Sequence, residues 1–62
     1  MNNNEKANLY EYYVNQASVL ERENSKLKSQ YVINMPENIQ KKIDFNNQKI
    51  NELQKKLNNL YK

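Results

Sequence analysis

Two stretches of the 62-residue chain carry side chains at alternating steps of three and four residues, the a and d positions of a heptad repeat. The first series is Tyr10, Tyr13, Ala17, Leu20, Asn24, Leu27 and Tyr31, and the second is Ile39, Ile43, Asn46, Ile50, Leu53, Leu57 and Leu60. The two series are out of phase, and the only proline, Pro36, lies between them. Because proline breaks a helix interior, the pattern predicts helices at residues 7–31 and 37–62, a turn at 32–36 and a flexible N-terminus at 1–6.

The start of the second helix has a local signal as well. Asn34 is followed three residues later by Glu37, which is the spacing of a capping box. The spacing predicts a cap by Asn34, although a proline biases the residue before it away from helix, which leaves the start of the second helix open by about two residues.

The two series can pair as an antiparallel hairpin that turns near Met35 and Pro36. In this arrangement Asn24, the one polar residue of the first series, faces Asn46, the one polar residue of the second. A buried Asn pair sets the register of two helices, since sliding one along the other would place an amide against hydrocarbon. The predicted fold is all-α: an antiparallel two-helix coiled-coil hairpin with Asn24 and Asn46 as register-setting core residues.

One long, proline-kinked helix in a parallel dimer is the alternative. Residues 20–27, with Asn24 at an a position between two leucines at d, resemble a leucine zipper. A zipper that reads DNA follows a basic region, whereas residues 1–19 contain a single basic residue. The hairpin is favoured, because its two arms match in length and because it places Glu23 opposite Lys49.

Composition excludes several classes of function. The chain has no Gly, which phosphate-cradling loops require, and it has neither Cys nor His. Disulfides and the common zinc and iron sites are therefore excluded. The carboxylates form no clear acid and base pair, so we predict a protein that is not an enzyme and binds no metal or cofactor.

The first helix carries more apolar surface than one seam can use. Leu9, Tyr12, Val14 and Val19 lie outside the seam, while a two-helix hairpin needs an apolar stripe only about 100° wide. A chain this short also buries a thin core. We therefore expect self-association into a homodimer or higher helical bundle, a partner protein on this surface, or both.

The predicted partner-binding residues lie beside the seam at g and c positions: Leu9, Tyr12, Gln16 and Val19 on the first helix and Phe45 on the second. Tyrosine is common at binding hot spots. The alternative for each is an ordinary exposed or core side chain, because a single exposed aromatic is common.

Charge is distributed unevenly. Residues 1–33 contain four basic and four acidic side chains, and residues 34–62 contain six and three, which accounts for the net charge of +3. The possible nucleic-acid contacts are Lys42, Lys49 and Lys56, which could neutralise phosphates. A dimeric hairpin binding RNA through such a face resembles the plasmid-copy-number regulator Rop in size and architecture. A solvated lysine face is the simpler interpretation.

Neither a signal-peptide pattern nor an apolar run of about 20 residues is present, so we expect a cytoplasmic, intracellular protein without a membrane span. Taken together, the sequence favours a small non-enzymatic coiled-coil protein that acts by protein–protein interaction, as a regulator, inhibitor or adaptor of a larger protein. The alternatives are a nucleic-acid-binding hairpin and a structural oligomerisation module.

Overall fold

The computed structural model describes residues 2–61 and consists of two antiparallel helices, α1 (Asn3–Gln30) and α2 (Glu37–Leu60). They form a rod with extents of 48 × 15 × 12 Å. The predicted helical hairpin, with its turn near Met35 and Pro36, is confirmed. In the part of the chain described, neither helix has a segment both long and apolar enough to cross a bilayer.

Helix α1 begins at Asn3, four residues earlier than the sequence pattern predicts. The cause is a cap: Asn2 has extended backbone angles, and its Oδ1 accepts a hydrogen bond from the Glu5 backbone N–H at 2.9 Å. The Asn2 carbonyl accepts from the Lys6 N–H at 3.1 Å. Of the segment predicted to be flexible, residues 3–6 are therefore helical, because capping satisfies N–H groups that would otherwise favour fraying.

Helix α2 begins immediately after the proline. Pro36 occupies the N-cap position with φ −60° and ψ 147°, and its carbonyl accepts from the N–H groups of Ile39 and Gln40 at 3.1 and 3.0 Å. The predicted capping by Asn34 is wrong, since no side chain caps this helix. The helix begins after Pro36 because a proline keeps the residue before it extended and is itself well suited to a helix start. Asn34 therefore lies two residues before the N-cap.

The core is a single line of side chains between the helices. Ile43 and Ile50 are 2% and 7% exposed, and Asn24 and Asn46 are 5% and 4% exposed. The other seam residues are half-buried, except Tyr10, which is 48% exposed and meets the Tyr61 ring edge-on at 6.1 Å. In the described part of the hairpin, Ile43 and Ile50 are thus the only two buried apolar side chains, and the rest of the seam is partly open to solvent.

Candidate functional site

The centre of the seam is a polar cluster. Nδ2 of Asn46 donates to Oδ1 of Asn24 at 2.9 Å and to Oε1 of Glu23 at 2.8 Å, and Nδ2 of Asn24 donates to Oδ1 of Asn47 at 2.9 Å. The predicted pairing of Asn24 with Asn46 is present. Glu23 and Asn47, at the edge of the pair, accept the other hydrogen bonds of the two amides. Within residues 2–61 no buried side-chain nitrogen or oxygen is left without a partner. The buried amides of the cluster are therefore fully hydrogen-bonded, and they fix the register of the two helices.

The charges beside the seam pair differently from the sequence expectation. Glu23 lies 3.7 Å from the ammonium of Lys42, while the Lys49 ammonium lies 5.5 Å from the centre of the Phe45 ring. The expected facing of Glu23 and Lys49 does not produce an ion pair. Lys42, seven residues before Lys49 on α2, lies closer to the Glu23 carboxylate, and the Phe45 ring offers Lys49 a neighbour on its own helix.

A groove of about 370 Å³ opens beside the seam between α1 and α2. The surface that lines it, called the groove face below, consists of Tyr12 and Gln16 from α1 and Phe45, Lys49, Glu52 and Lys56 from α2, with the seam residues Tyr13, Leu20 and Leu53. In this groove, side chains from outside the seam converge from both helices.

The heptad explains this convergence. Position g lies beside position d, and position c lies next to g on the same side of the helix; antiparallel helices bring their g positions to the same side of the pair. Gln16, Lys49 and Lys56 occupy g positions, and Tyr12, Phe45 and Glu52 occupy c positions, by the frame of the two seam series. The hairpin topology thus gathers residues that lie some 30 to 40 positions apart in the chain.

The groove face combines exposed rings with cations. Tyr12 and Phe45 are each 57% exposed, and the Tyr12 ring packs edge-on against Tyr13 with centres 5.8 Å apart. The Lys56 ammonium lies 5.8 Å from the centre of the Tyr13 ring, and the Lys49 ammonium lies 5.5 Å from the centre of the Phe45 ring. Such a surface offers exposed aromatic rings next to two positive charges, which suits binding to a protein surface.

The structure brings together some predicted site residues and leaves out others. Tyr12, Gln16 and Phe45 line the groove, whereas Leu9 is half-buried outside it and Val19 is 57% exposed outside it. Of the three lysines singled out for nucleic acid, Lys49 and Lys56 line the groove, and the third, Lys42, is held by Glu23.

Four residues of the groove were not among the predicted site residues: the seam residues Tyr13, Leu20 and Leu53, and Glu52. Tyr13 was assigned to the seam alone, although a ring of its size also reaches the surface. Glu52 was counted only among the carboxylates that form no acid and base pair, yet it follows Phe45 by seven residues and so lies on the same side of α2. The seven-residue spacing from Phe45 was the sequence signal that could have identified Glu52 as a groove residue.

The fold and the groove define a class: a small helical hairpin with an aromatic, positively charged groove beside its seam. Comparison adds no family to this description, because no protein-family model, curated protein or solved structure matches the chain.

Proposed function

We propose that this protein is a non-enzymatic coiled-coil module that acts by binding protein through the groove face, as a regulator, inhibitor or adaptor of a larger protein. The observation that carries the proposal is the convergence of Tyr12 and Phe45, two exposed aromatic residues from different helices, in one groove. Aromatic side chains are over-represented at hot spots of protein interfaces, and they bury a large area when covered.

The charged residues of the groove support a protein partner over a nucleic acid. Glu52 lies on the same face as Lys49 and Lys56, so a phosphate backbone following the lysines would pass a carboxylate. A protein surface of mixed charge can match all three groups. The arrangement therefore favours an interface with both signs of charge.

Nucleic-acid binding is retained as the second candidate because one observation favours it. Two lysines and the exposed ring of Phe45 share a groove, which is the combination that proteins use to stack bases and neutralise phosphates. In this case changing Lys42, Lys49 and Lys56 to Gln should weaken RNA binding and flatten its salt dependence, while Tyr12→Ala should leave both unchanged.

In the test, the tagged chain captures partner protein from the source cell, and mass spectrometry identifies the captured protein. The capture is then repeated with variants of the chain. Tyr12→Ala and Phe45→Ala should each reduce binding of the captured protein by about 5- to 150-fold, the loss of a buried hot spot. Val32→Ala is the matched control, because Val32 is an exposed apolar residue at the turn and does not line the groove. Equal binding by all three variants would contradict the proposal.

A further inference from the structure

We infer that the groove face pairs with the groove face of a second copy of this chain, so that two hairpins form a four-helix bundle about a twofold axis. The inference rests on the proposed function, since it names an occupant of the same groove. It also adds a form of regulation: a larger protein that binds the groove has to displace the second copy.

The order of residues along α2 is the first argument. Phe45, Lys49, Glu52 and Lys56 follow one another at steps of four, three and four, so they form one stripe along the helix. Read in the opposite direction the order is Lys, Glu, Lys, Phe. When two α2 helices lie antiparallel, Lys49 therefore faces Glu52 of the second copy, and Phe45 faces Lys56 of the second copy.

By symmetry each of these pairs occurs twice. The stripe thus makes two ion pairs and two cation–aromatic pairs with its own copy, and no like charges meet. A parallel arrangement in register would instead set each lysine against the same lysine. An isologous interface is the natural result of a surface complementary to itself, because a twofold axis repeats every contact.

The charged groups of the stripe are available for this pairing. Two ion pairs are present within residues 2–61, Lys41 with Glu37 and Lys42 with Glu23, and neither uses a residue of the stripe. The two stripe lysines rest on aromatic rings of their own chain, which leaves Glu52 without an ion-pair partner in the described hairpin.

The residues of helix α1 also complement their own copies about the same twofold axis, and this argument does not depend on α2. The stripe on the groove side of α1 is Tyr12, Gln16, Val19, Glu23 and Lys26, at c and g positions. A twofold axis at Val19 sets Val19 against itself, Gln16 beside Glu23 of the second copy, and Tyr12 beside Lys26 of the second copy. An apolar residue at the centre is flanked by polar and cation–aromatic pairs.

The two axes coincide. The hydrogen bond between Asn24 and Asn46 fixes the levels of the helices, so one turn further from the connection Leu20 is level with Ile50. The α2 axis lies between Lys49 and Glu52, and the α1 axis lies at Val19, which is the same height within one residue. A single twofold axis therefore relates both pairs of helices. It also places the exposed Val19 in contact with the second copy, although Val19 does not line the groove of one copy.

The exposed surface area of the hairpin is consistent with a face that a second copy covers. The hairpin exposes 5040 Å², whereas a globular monomer of 7.5 kDa exposes about 4,200 Å². The excess of about 800 Å² equals what one partner buries in a standard protein–protein interface. The described hairpin buries only two apolar side chains, and a second layer of helices would complete the core.

The experiment is sedimentation equilibrium of the full chain and two charge-reversal variants. We expect a dimer for the natural sequence at micromolar concentration. Glu52→Lys and Lys49→Glu should each weaken dimerisation at least tenfold, because each sets like charges against each other twice. An equimolar mixture should restore a dimer, since both Lys–Glu pairs form between the two different chains.

Lys55→Glu is the matched control: it makes the same charge change as Lys49→Glu at an exposed position outside the groove, and it should leave the dimer intact. A monomeric natural chain would overturn the inference, and so would a mixture that stays monomeric. Rescue on mixing cannot come from charges within one helix, so a variant that folds poorly alone still gives a decisive result.

The two proposals fail separately. A monomeric chain whose Tyr12→Ala variant loses its captured partner overturns the twofold bundle and leaves the proposed function. A dimer whose capture of a larger protein is unaffected by Tyr12→Ala supports the bundle and overturns the proposed function.

Discussion

Asn24 and Asn46 show how single residues give the hairpin its register. Each is almost fully buried, and each amide is satisfied by the other helix. A buried amide without a partner costs about 1–3 kcal/mol, so every register that separates the two is penalised. Specific pairing, and not added stability, is the contribution of this cluster, since apolar residues would pack there as well.

Replacing Asn46 with Leu should destabilise the protein by about 1–3 kcal/mol, because Oδ1 of Asn24 loses its donor and remains buried. Replacing both Asn24 and Asn46 with Leu should recover that loss or exceed it. Urea unfolding of the two single variants and the double variant measures this directly.

Asn47→Ala is the control for that series. Asn47 accepts from Asn24 but is exposed, so water can replace it, and we expect a change within about 0.5 kcal/mol. Purely additive effects of the Asn24 and Asn46 substitutions would contradict the interpretation that the two amides act as one unit.

At the scale of the element, the two helices differ in how they begin. Helix α1 starts from a side-chain cap at Asn2, and α2 starts from the backbone of Pro36 without one. Glu5 and Glu37 lie in the respective first turns, where negative charge favours the positive end of the helix dipole. The beginning of α1 therefore depends on one side chain, whereas that of α2 depends on the rigid proline.

Asn2→Ala should unravel the first turn of α1. Loss of the Asn2 cap typically costs about 0.5–2 kcal/mol, and the effect should be local, because residues 2–5 are all exposed. Hydrogen exchange of the Glu5 and Lys6 amides should accelerate while the amides near Asn24 stay protected. Asn4→Ala, which removes an amide that caps nothing in the structure, is the control.

The whole molecule is a narrow rod with a thin core. Its extents of 48 × 15 × 12 Å leave no side chain far from solvent unless another helix layer covers it. The exposed apolar residues are spread over three regions: the groove side, the turn and the open end. Of these, the groove side alone combines rings, charges of both signs and residues from both helices.

If folding is linked to assembly, the melting temperature should rise with protein concentration. Each tenfold increase in concentration adds about 1.4 kcal/mol to the free energy of unfolding of a dimer, which corresponds to several degrees for a protein of this size. Circular dichroism melts over a hundredfold concentration range measure this. Melting that does not change with concentration would show that one hairpin folds alone.

The helices, the break at Pro36 and the pairing of Asn24 with Asn46 could all be derived from the sequence. These features depend on periodicity along the chain and on one rule for antiparallel pairing, so they need no knowledge of side-chain positions. The cap at Asn2 was equally local, and its Asn-x-x-Glu spacing with Glu5 was present to be read.

Only the tertiary structure decided which surface residues meet. The sequence grouped Leu9 and Val19 with Tyr12 and Gln16 by heptad position, yet the groove contains only the last two, joined by Phe45 and by residues of α2 that sequence analysis had assigned other roles. It also decided that Glu23 pairs with Lys42. A heptad position specifies on which side of a helix a residue lies. Whether two side chains touch depends on their levels along the two helices and on their rotamers, and these are fixed only when the helices pack together.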